Sequence, residues 1–159
     1  MTTLLVALCA HFVADFLLQS MEMGKNKSKK LDVLLVHIMI NVGATGIFLL
    51  PFVGFEKAAI FSFLNGLFHG LIDWNIWKFY KAHTLNKIKE EAQMIATRRH
   101  LTLVGKSKEQ VYMDKLSILI EARSNFKFWK DHWFYVTIGA DQFLHTVTIV
   151  ILWMAWLGG

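Results

Sequence analysis

Four long apolar segments, separated by polar stretches, dominate the pattern of hydrophobic and polar positions along this chain. They cover roughly residues 2–21, 31–51, 57–78 and 133–157, and each is close to the ~20 residues that a helix needs to cross a membrane. The pattern predicts an all-α integral membrane protein with four transmembrane helices. The first segment has no basic stretch before it, which favours a retained helix over a cleaved signal peptide.

The polar stretch 82–132 predicts a cytoplasmic amphipathic helical hairpin between the third and fourth spans. Gly105 is expected to end its first helix, and Ser107 with Gln110 forms a capping box that begins the second. The apolar stripe of this second helix is predicted to consist of Val111, Leu116, Leu119 and Ile120. The expected organisation is therefore one membrane domain, with three spans in 1–81, an insertion in 82–132 and the fourth span in 133–159.

Short connections and charge set the expected topology. Pro51 and Gly54 predict a tight turn that makes the second and third spans antiparallel neighbours. All of the seventeen Lys and Arg residues except Lys57 lie in or beside the stretches 22–30 and 78–132. By the positive-inside rule, loops 22–30 and 82–132 are cytoplasmic and both termini lie outside.

Composition narrows the class of protein further. The chain is 55% hydrophobic and only 18% charged, and a soluble domain of this length would have fewer apolar and more charged residues. The net charge of +5 does not indicate nucleic acid, because acidic residues are interspersed among the basic ones. The expected partners are membrane lipids, including anionic headgroups. The sequence leaves open whether the chain forms a homo-oligomer.

Each apolar segment also contains a histidine with a polar residue four positions away. The pairs are His11 with Asp15, His37 with Asn41, His69 with Asp73, and His145 with Asp141. Residues four apart share one face of a helix. The order of His and Asp reverses in the fourth span, which runs in the opposite direction, so every aspartate is expected to lie nearer the cytoplasm than its histidine. The pairs then form one layer in the inner half of the membrane.

Ionisable groups at membrane depth are costly, and they indicate a function by default. Three buried carboxylates need a compensating charge, which a divalent cation bound to carboxylates and imidazoles would supply. The predicted metal ligands are His11, Asp15, His69, Asp73, Asp141 and His145. Gln19, Asn41 and Gln142 are predicted to orient these ligands from behind, and His37 and Asp15 are the candidate catalytic residues. Zinc, manganese and iron all stay open, and a metal-free hydrogen-bonded or proton-relay network is the alternative.

Several motifs resemble those of a known family. HFVADFLLQ followed by MGKNK, then HGLIDWNI, then DQFLHTVTI match in order the patterns HxxxDFxLQ, HxxxD and DQxxH of an uncharacterised family of small bacterial and phage integral membrane proteins. The resemblance implies a helical protein of the bacterial inner membrane and points to the same His, Asp and Gln residues, but it brings no activity. The helix-borne His/Asp pattern is also similar to that of membrane-bound metal-dependent hydrolases, whose His-Arg signature is absent here.

Three functions follow as hypotheses. The first is a membrane-embedded metal-dependent hydrolase that acts on a lipid-linked or interfacial substrate, with Lys25 and Lys27 holding an anionic headgroup. The second is a metal-ion or proton transporter, because intramembrane His/Asp chains also form ion pathways. The third is a non-catalytic bacterial or phage protein that acts through the stretch 82–132. His83, His100 and His132 are expected to be solvated.

Overall fold

The computed structural model describes residues 1–98, 106–127 and 130–158, and the regular elements in these ranges are all helical. The all-α prediction is therefore confirmed for the described residues, whereas the predictions for His100 and Gly105 lie outside them. The helices are α1 Thr2–Phe12, continued by a π-helical turn over Val13–Leu17, α2 Met21–Asn26, α3 Leu31–Val53, α4 Phe55–Arg98, α5 Lys108–Asn125 and α6 His132–Trp156.

The chain divides into two compact units. The first contains Met1–Lys78 and Thr137–Gly159, and the second contains Phe79–Val136. Helix α4 supplies residues to both units. The division of the sequence at 82 and 133 into membrane and inserted pieces stays a prediction.

Within the ranges that the structure describes, two helices, α3 and α6, are long and apolar enough to cross a membrane. The first apolar helix, Thr2–Leu17, is shorter than a full span. The arrangement of four spans therefore stays a prediction.

In the first unit, α3 and α4 are joined by a single residue. Gly54 adopts a φ of 78°, a conformation that glycine takes without strain. Pro51 was expected in this turn, but it lies inside the last turn of α3, which runs on to Val53.

Small residues bring α3 and α4 close together. A Cβ atom at Gly66 would overlap Val42 Cγ2, and one at Gly70 would overlap Ile38 Cδ1. Residue numbers fall along α3 as they rise along α4, so the two helices are antiparallel, as the sequence predicts. Glycines four residues apart on one face are typical of close helix contacts in membranes.

Helices α1 and α6 also run antiparallel. Trp153 Nε1 donates a hydrogen bond of 2.8 Å to Thr3 Oγ1 near one end. At the other end, Gln142 Nε2 donates one of 3.3 Å to Asp15 Oδ2. These two contacts fix the register that places the polar residues of α6 beside those of the first helix.

The first helix ends earlier than predicted. Its last turn, Val13–Leu17, is π-helical, with the Leu18 amide donating to the Val13 carbonyl at 2.9 Å. Ser20 then caps α2, because its Oγ accepts from the Met23 amide at 3.1 Å. Gln19 consequently lies in the short connection between the first helix and α2, and not on the helix face that the sequence suggested.

In the second unit, α4 and α5 pack through a small apolar cluster of Ala92, Ile95, Ile118 and Ala122. The predicted capping box is confirmed, with Gln110 Oε1 accepting from the Ser107 amide at 3.0 Å and Ser107 Oγ from the Gln110 amide at 3.2 Å. None of the residues of the predicted apolar stripe of α5 belongs to this cluster. Leu116, Leu119 and Ile120 are exposed, because Ile118 and Ala122 lie on the face that α4 covers.

Candidate metal centre

The buried side chains of the first unit are mostly polar. Those with polar groups are His11, Asp15, Lys27, Ser28, His37, Asn41, Thr45, Ser62, Asn65, His69, Asp73, Asp141 and His145. On each helix they recur every three or four residues, which places them on a single face turned towards the other helices. The four predicted His-polar pairs therefore meet in one interior.

Four ligand atoms from the π turn, α3 and α4 converge at the centre of this interior. The Nε2 atoms of His37 and His69 lie 2.9 Å apart. Asp73 Oδ2 is 3.1 Å from both nitrogens. Asp15 Oδ1 is 3.5 Å from the His37 nitrogen and 3.4 Å from the His69 nitrogen. These four residues, Asp15, His37, His69 and Asp73, are called the ligand quartet below.

The spacing of the quartet fits a bound cation better than a set of direct hydrogen bonds. A tetrahedral zinc ion with bonds of about 2.0–2.1 Å separates its ligand atoms by about 3.3 Å. Charge-assisted hydrogen bonds to a carboxylate are shorter, about 2.7–2.9 Å. Asp15 Oδ1 and both oxygens of Asp73 are buried without a hydrogen-bond partner of suitable geometry among the described residues. A cation at the centre would satisfy Asp15 Oδ1 and Asp73 Oδ2 together with the two imidazole nitrogens.

A second group of ligand atoms adjoins the quartet and shares Asp73 with it. His145 Nε2 lies 3.5 Å from Asp141 Oδ1 and 3.8 Å from Asp73 Oδ1. One ligand atom from each of these three residues lies within 4.8 Å of the other two. The DQxxH motif thus faces the HxxxD motif of α4 across the interior.

A third group consists of His11, Asp15 and His69. His11 Nε2 is 3.6 Å from Asp15 Oδ2, and its ring centroid lies 4.9 Å from that of His145. Neither ring nitrogen of His11 has a hydrogen-bond partner within the described ranges. The three groups together contain all six predicted ligands and add His37, which the sequence suggested as a catalytic residue.

Lys27 enters the cluster from the loop after α2. Its side chain is buried, with Nζ 2.7 Å from Asp73 Oδ1 and 3.4 Å from His37 Nε2. The direction of approach to Asp73 does not meet hydrogen-bond geometry, so the short contact is an ion pair. Nothing in the sequence indicates this inward position, because juxtamembrane lysines usually mark topology. Lys25 is exposed, and headgroup binding by either lysine stays a prediction.

Amide side chains support the quartet from behind. Asn41 Nδ2 lies 3.5 Å from His69 Nδ1, and Asn65 Nδ2 donates to Asn41 Oδ1 at 2.9 Å. The oxygen and nitrogen of an amide exchange places when the group turns by 180°. With both amides turned, Asn41 accepts from the His69 Nδ1–H, and Nε2 keeps a lone pair for a cation.

Asn65 was not singled out from the sequence, although the signal was present. It stands four residues before His69, as His69 stands four before Asp73, so the i,i+4 rule extends one step further. Of the other predicted supporting residues, Gln142 bonds to Asp15 as described above. The amide nitrogen of Gln19 lies 2.9 Å from where a Cβ at Gly24 would be, and its buried oxygen has no partner in the described part of the chain.

The second unit contains one notable buried carboxylate. Burial opposes ionisation of Asp131, but Lys87 Nζ lies 2.7 Å from its Oδ1 and holds the pKa of Asp131 below its ordinary value. Of the histidines expected to be solvated, His132 is exposed, whereas His83 is partly covered and its ring lies 5.5 Å from that of Trp133.

Comparison with known proteins identifies the family. Residues 3–158 match the family described as "Protein of unknown function (DUF3307)". No curated protein and no solved structure matches the chain. The predicted membership of an uncharacterised family is thus confirmed, while the bacterial or phage origin stays a prediction. Because the match covers nearly the whole chain, this protein belongs to the DUF3307 family of proteins of unknown function.

Proposed function

We propose that this chain is a multi-pass protein of the bacterial inner membrane that binds one divalent cation in its ligand quartet and uses it to hydrolyse a lipid-linked or interfacial substrate. The observation that carries the proposal is the convergence of two imidazole nitrogens 2.9 Å apart with two carboxylate oxygens that each lie 3.1–3.5 Å from both nitrogens. Zinc, manganese and iron all accept such a set of nitrogen and oxygen ligands.

The distribution of polarity in the first unit supports a membrane location. Large apolar side chains that are half or more exposed include Leu5, Phe12, Phe16, Leu35, Met39, Ile47, Phe63, Leu67, Leu71, Phe143, Ile151 and Met154. Only 33% and 17% of the apolar stretches of α3 and α6 are buried. A polar interior with an apolar exterior is unfavourable in water, whereas lipid tails would cover this surface. We therefore retain the four-span arrangement, with loops 22–30 and 82–132 cytoplasmic and both termini outside.

The charge count supports one divalent cation. Asp15, Asp73 and Asp141 bring three negative charges into the interior, and Lys27 brings one positive charge. The remaining two negative charges equal the charge of one divalent ion. Buried charges without compensation are strongly destabilising, so an ion here also contributes to the stability of the first unit.

The chemistry proposed for this site is metal-assisted hydrolysis. A bound divalent cation polarises a phosphoryl or acyl oxygen and makes a coordinated water more acidic. His37 and Asp15, predicted as catalytic residues, both lie in the quartet, and in this proposal they hold the cation. The candidate base is then His11, which is buried beside Asp15, lies outside the quartet and has neither ring nitrogen in a hydrogen bond of suitable geometry among the described residues.

Hydrolysis is tested with two ester probes in mixed micelles with phosphatidylglycerol. Purified protein loaded with Zn²⁺ or Mn²⁺ is assayed with p-nitrophenyl phosphate and with p-nitrophenyl butyrate. We expect turnover of one probe, a large loss in His11→Gln with the metal retained, and complete loss in Asp73→Asn. Metal-loaded wild type without turnover of either probe would count against a hydrolase.

The transport alternative has one observation in its favour. Asn41 and Thr45 on α3 and Ser62 and Asn65 on α4 are buried and extend the polar interior away from the cluster. This polar path ends at an apolar cluster of Ala7, Leu49, Ala58, Phe61 and Ile149. A closed end favours a binding or catalytic site over a continuous pathway. Zn²⁺ flux into liposomes that contain the wild-type protein would instead support a transporter.

The proposed topology is tested by thiol labelling. Cys9 is the single cysteine and it is exposed, so Cys9→Ser provides the background. Lys29→Cys, between α2 and α3, and Phe55→Cys, at the start of α4, place a thiol at exposed positions that the proposed topology puts on opposite sides. A membrane-impermeant maleimide should label Phe55→Cys from outside and Lys29→Cys only after the membrane is opened. The reverse pattern would contradict the orientation.

A further inference from the structure

The two oxygens of Asp73 face different partners. Oδ2 points to the nitrogens of His37 and His69 in the quartet. Oδ1 points away from that centre, with Lys27 Nζ at 2.7 Å and His145 Nε2 at 3.8 Å. A carboxylate with its oxygens directed to two sets of ligands is the usual bridge between two metal ions about 3.5–4 Å apart.

The side of Asp73 that faces away from the quartet has its own set of ligand atoms. Asp141 and His145 are both almost fully buried. Within the described residues, Asp141 Oδ1 and His145 Nε2 have no hydrogen-bond partner of suitable geometry, although they lie only 3.5 Å from each other. Two buried, unsatisfied ligand atoms beside a shared carboxylate oxygen indicate a second cation position.

A positive charge already lies beside this second position. The ammonium of Lys27 contacts the same Asp73 oxygen that a second ion would bind. Two cations close together on one oxygen repel each other, so the ammonium and a divalent ion compete for it.

We propose that Asp73, Asp141 and His145 form a second divalent-cation position, and that the ammonium group of Lys27 supplies the positive charge there in place of a metal ion. This inference rests on the proposed function, because the quartet supplies the first position. The protein then binds a single divalent cation next to a built-in ammonium group, and removal of that group opens the second position.

Charge counting leads to the same result. With Lys27 inside, one divalent ion balances the three carboxylates. With the ammonium in place a second divalent ion would leave a net charge of +2, whereas without it one ion leaves −1 and two ions leave +1, so loss of the ammonium lowers the electrostatic cost of a second ion. The side chain of Lys27 therefore sets the number of ions.

The test counts Mn²⁺ per chain in detergent-purified full-length protein after dialysis against excess metal and then against metal-free buffer. Wild type and Lys27→Arg should retain one ion, because both carry a positive charge. Lys27→Met, which keeps a similar side-chain length without the charge, should retain two ions and show the exchange-broadened electron paramagnetic resonance spectrum of a coupled Mn²⁺ pair. Lys27→Met combined with Asp141→Asn should return to one ion.

Other ion counts would contradict different parts of the proposal. Two ions in wild type would overturn the role given to Lys27, and one ion in folded Lys27→Met would overturn the second position, while either result would leave the quartet intact. No ion in wild type would overturn the proposed function as well. Asp141→Asn alone gives a second measurement that does not depend on Lys27→Met folding. We expect it to retain one ion, because the four quartet residues are unchanged, and loss of that ion would overturn the inference.

Discussion

The Nε2 atoms of His37 and His69 lie 2.9 Å apart, although 32 positions separate the two residues in the chain. Two imidazole nitrogens at this distance require either a single shared proton or a cation between them. The nearby oxygens of Asp15 and Asp73 favour the cation, because each stands at a similar distance from both nitrogens. This contact makes His37 of α3 one of the converging ligand residues, whereas the sequence predicted it as a catalytic residue and not as a ligand.

The close approach of α3 and α4 depends on Gly66. In Gly66→Ala the new methyl group overlaps Val42 Cγ2, and Val42 is β-branched and cannot easily turn aside. We expect a loss of about 1–3 kcal/mol in the free energy of unfolding and a lower metal content. Thermal unfolding of the detergent-purified variant measures the first effect, and elemental analysis measures the second.

Gly43→Ala is the matched control for this substitution. Gly43 lies on the same helix pair, but a Cβ there meets no atom within 4 Å, and alanine has the higher helix propensity. It should unfold at or slightly above the wild-type temperature. Equal losses in both variants would show that the helix contact is not the cause.

Asn41 should affect metal affinity without being a ligand. In Asn41→Ala the His69 ring loses the amide beside its Nδ1, so its orientation and tautomer are less well fixed. Loss of such a partner typically lowers metal affinity by about 10–100-fold. Competition with a fluorescent Zn²⁺ chelator measures the change. Asn75→Ala, at an exposed site on α4, is the control and should bind as wild type does; unchanged affinity in Asn41→Ala would remove Asn41 from the site.

The Lys87–Asp131 ion pair predicts a pH-dependent contribution to the stability of the second unit. The pKa of folded Asp131 lies below its unfolded value of about 3.9. The stabilisation is therefore complete above that value and is lost as the pH falls through the folded pKa. Because Lys87 is partly exposed, Lys87→Met should cost no more than about 1 kcal/mol at pH 7.

Chemical denaturation at pH 7 and below pH 3 measures this dependence. The difference between Lys87→Met and wild type should shrink at the lower pH, because protonated Asp131 no longer attracts the ammonium. Lys89→Met, at an exposed position on the same helix, should show little difference at either pH. A difference that grows on acidification would contradict the assignment.

Much of the site was predictable because the spacing of residues along the sequence shows which side chains share one face of a helix. The pairs His11 with Asp15, His69 with Asp73 and Asp141 with His145 share helix faces, and burial of those faces follows from their polarity in an apolar chain. The same rule, carried one step further, would also have included Asn65.

Other features depend on local backbone geometry and on packing partners, which the spacing of residues does not predict. The π turn at Val13–Leu17 shifts the end of the first helix, so Gln19 leaves the predicted face. The inward turn of Lys27 depends on where the short helix α2 ends. On α5, the choice between Leu116 and Ile118 as the packed residue depends on the partner helix, since both lie in an apolar run.

The most direct test of the central claim is the metal content of the full-length protein purified in detergent without added chelator. We predict one zinc, manganese or iron ion per chain in the wild type and none in Asp73→Asn, with both proteins helical by circular dichroism. A metal-free wild type that binds no divalent cation on titration, or a folded Asp73→Asn that keeps its ion, would contradict the account.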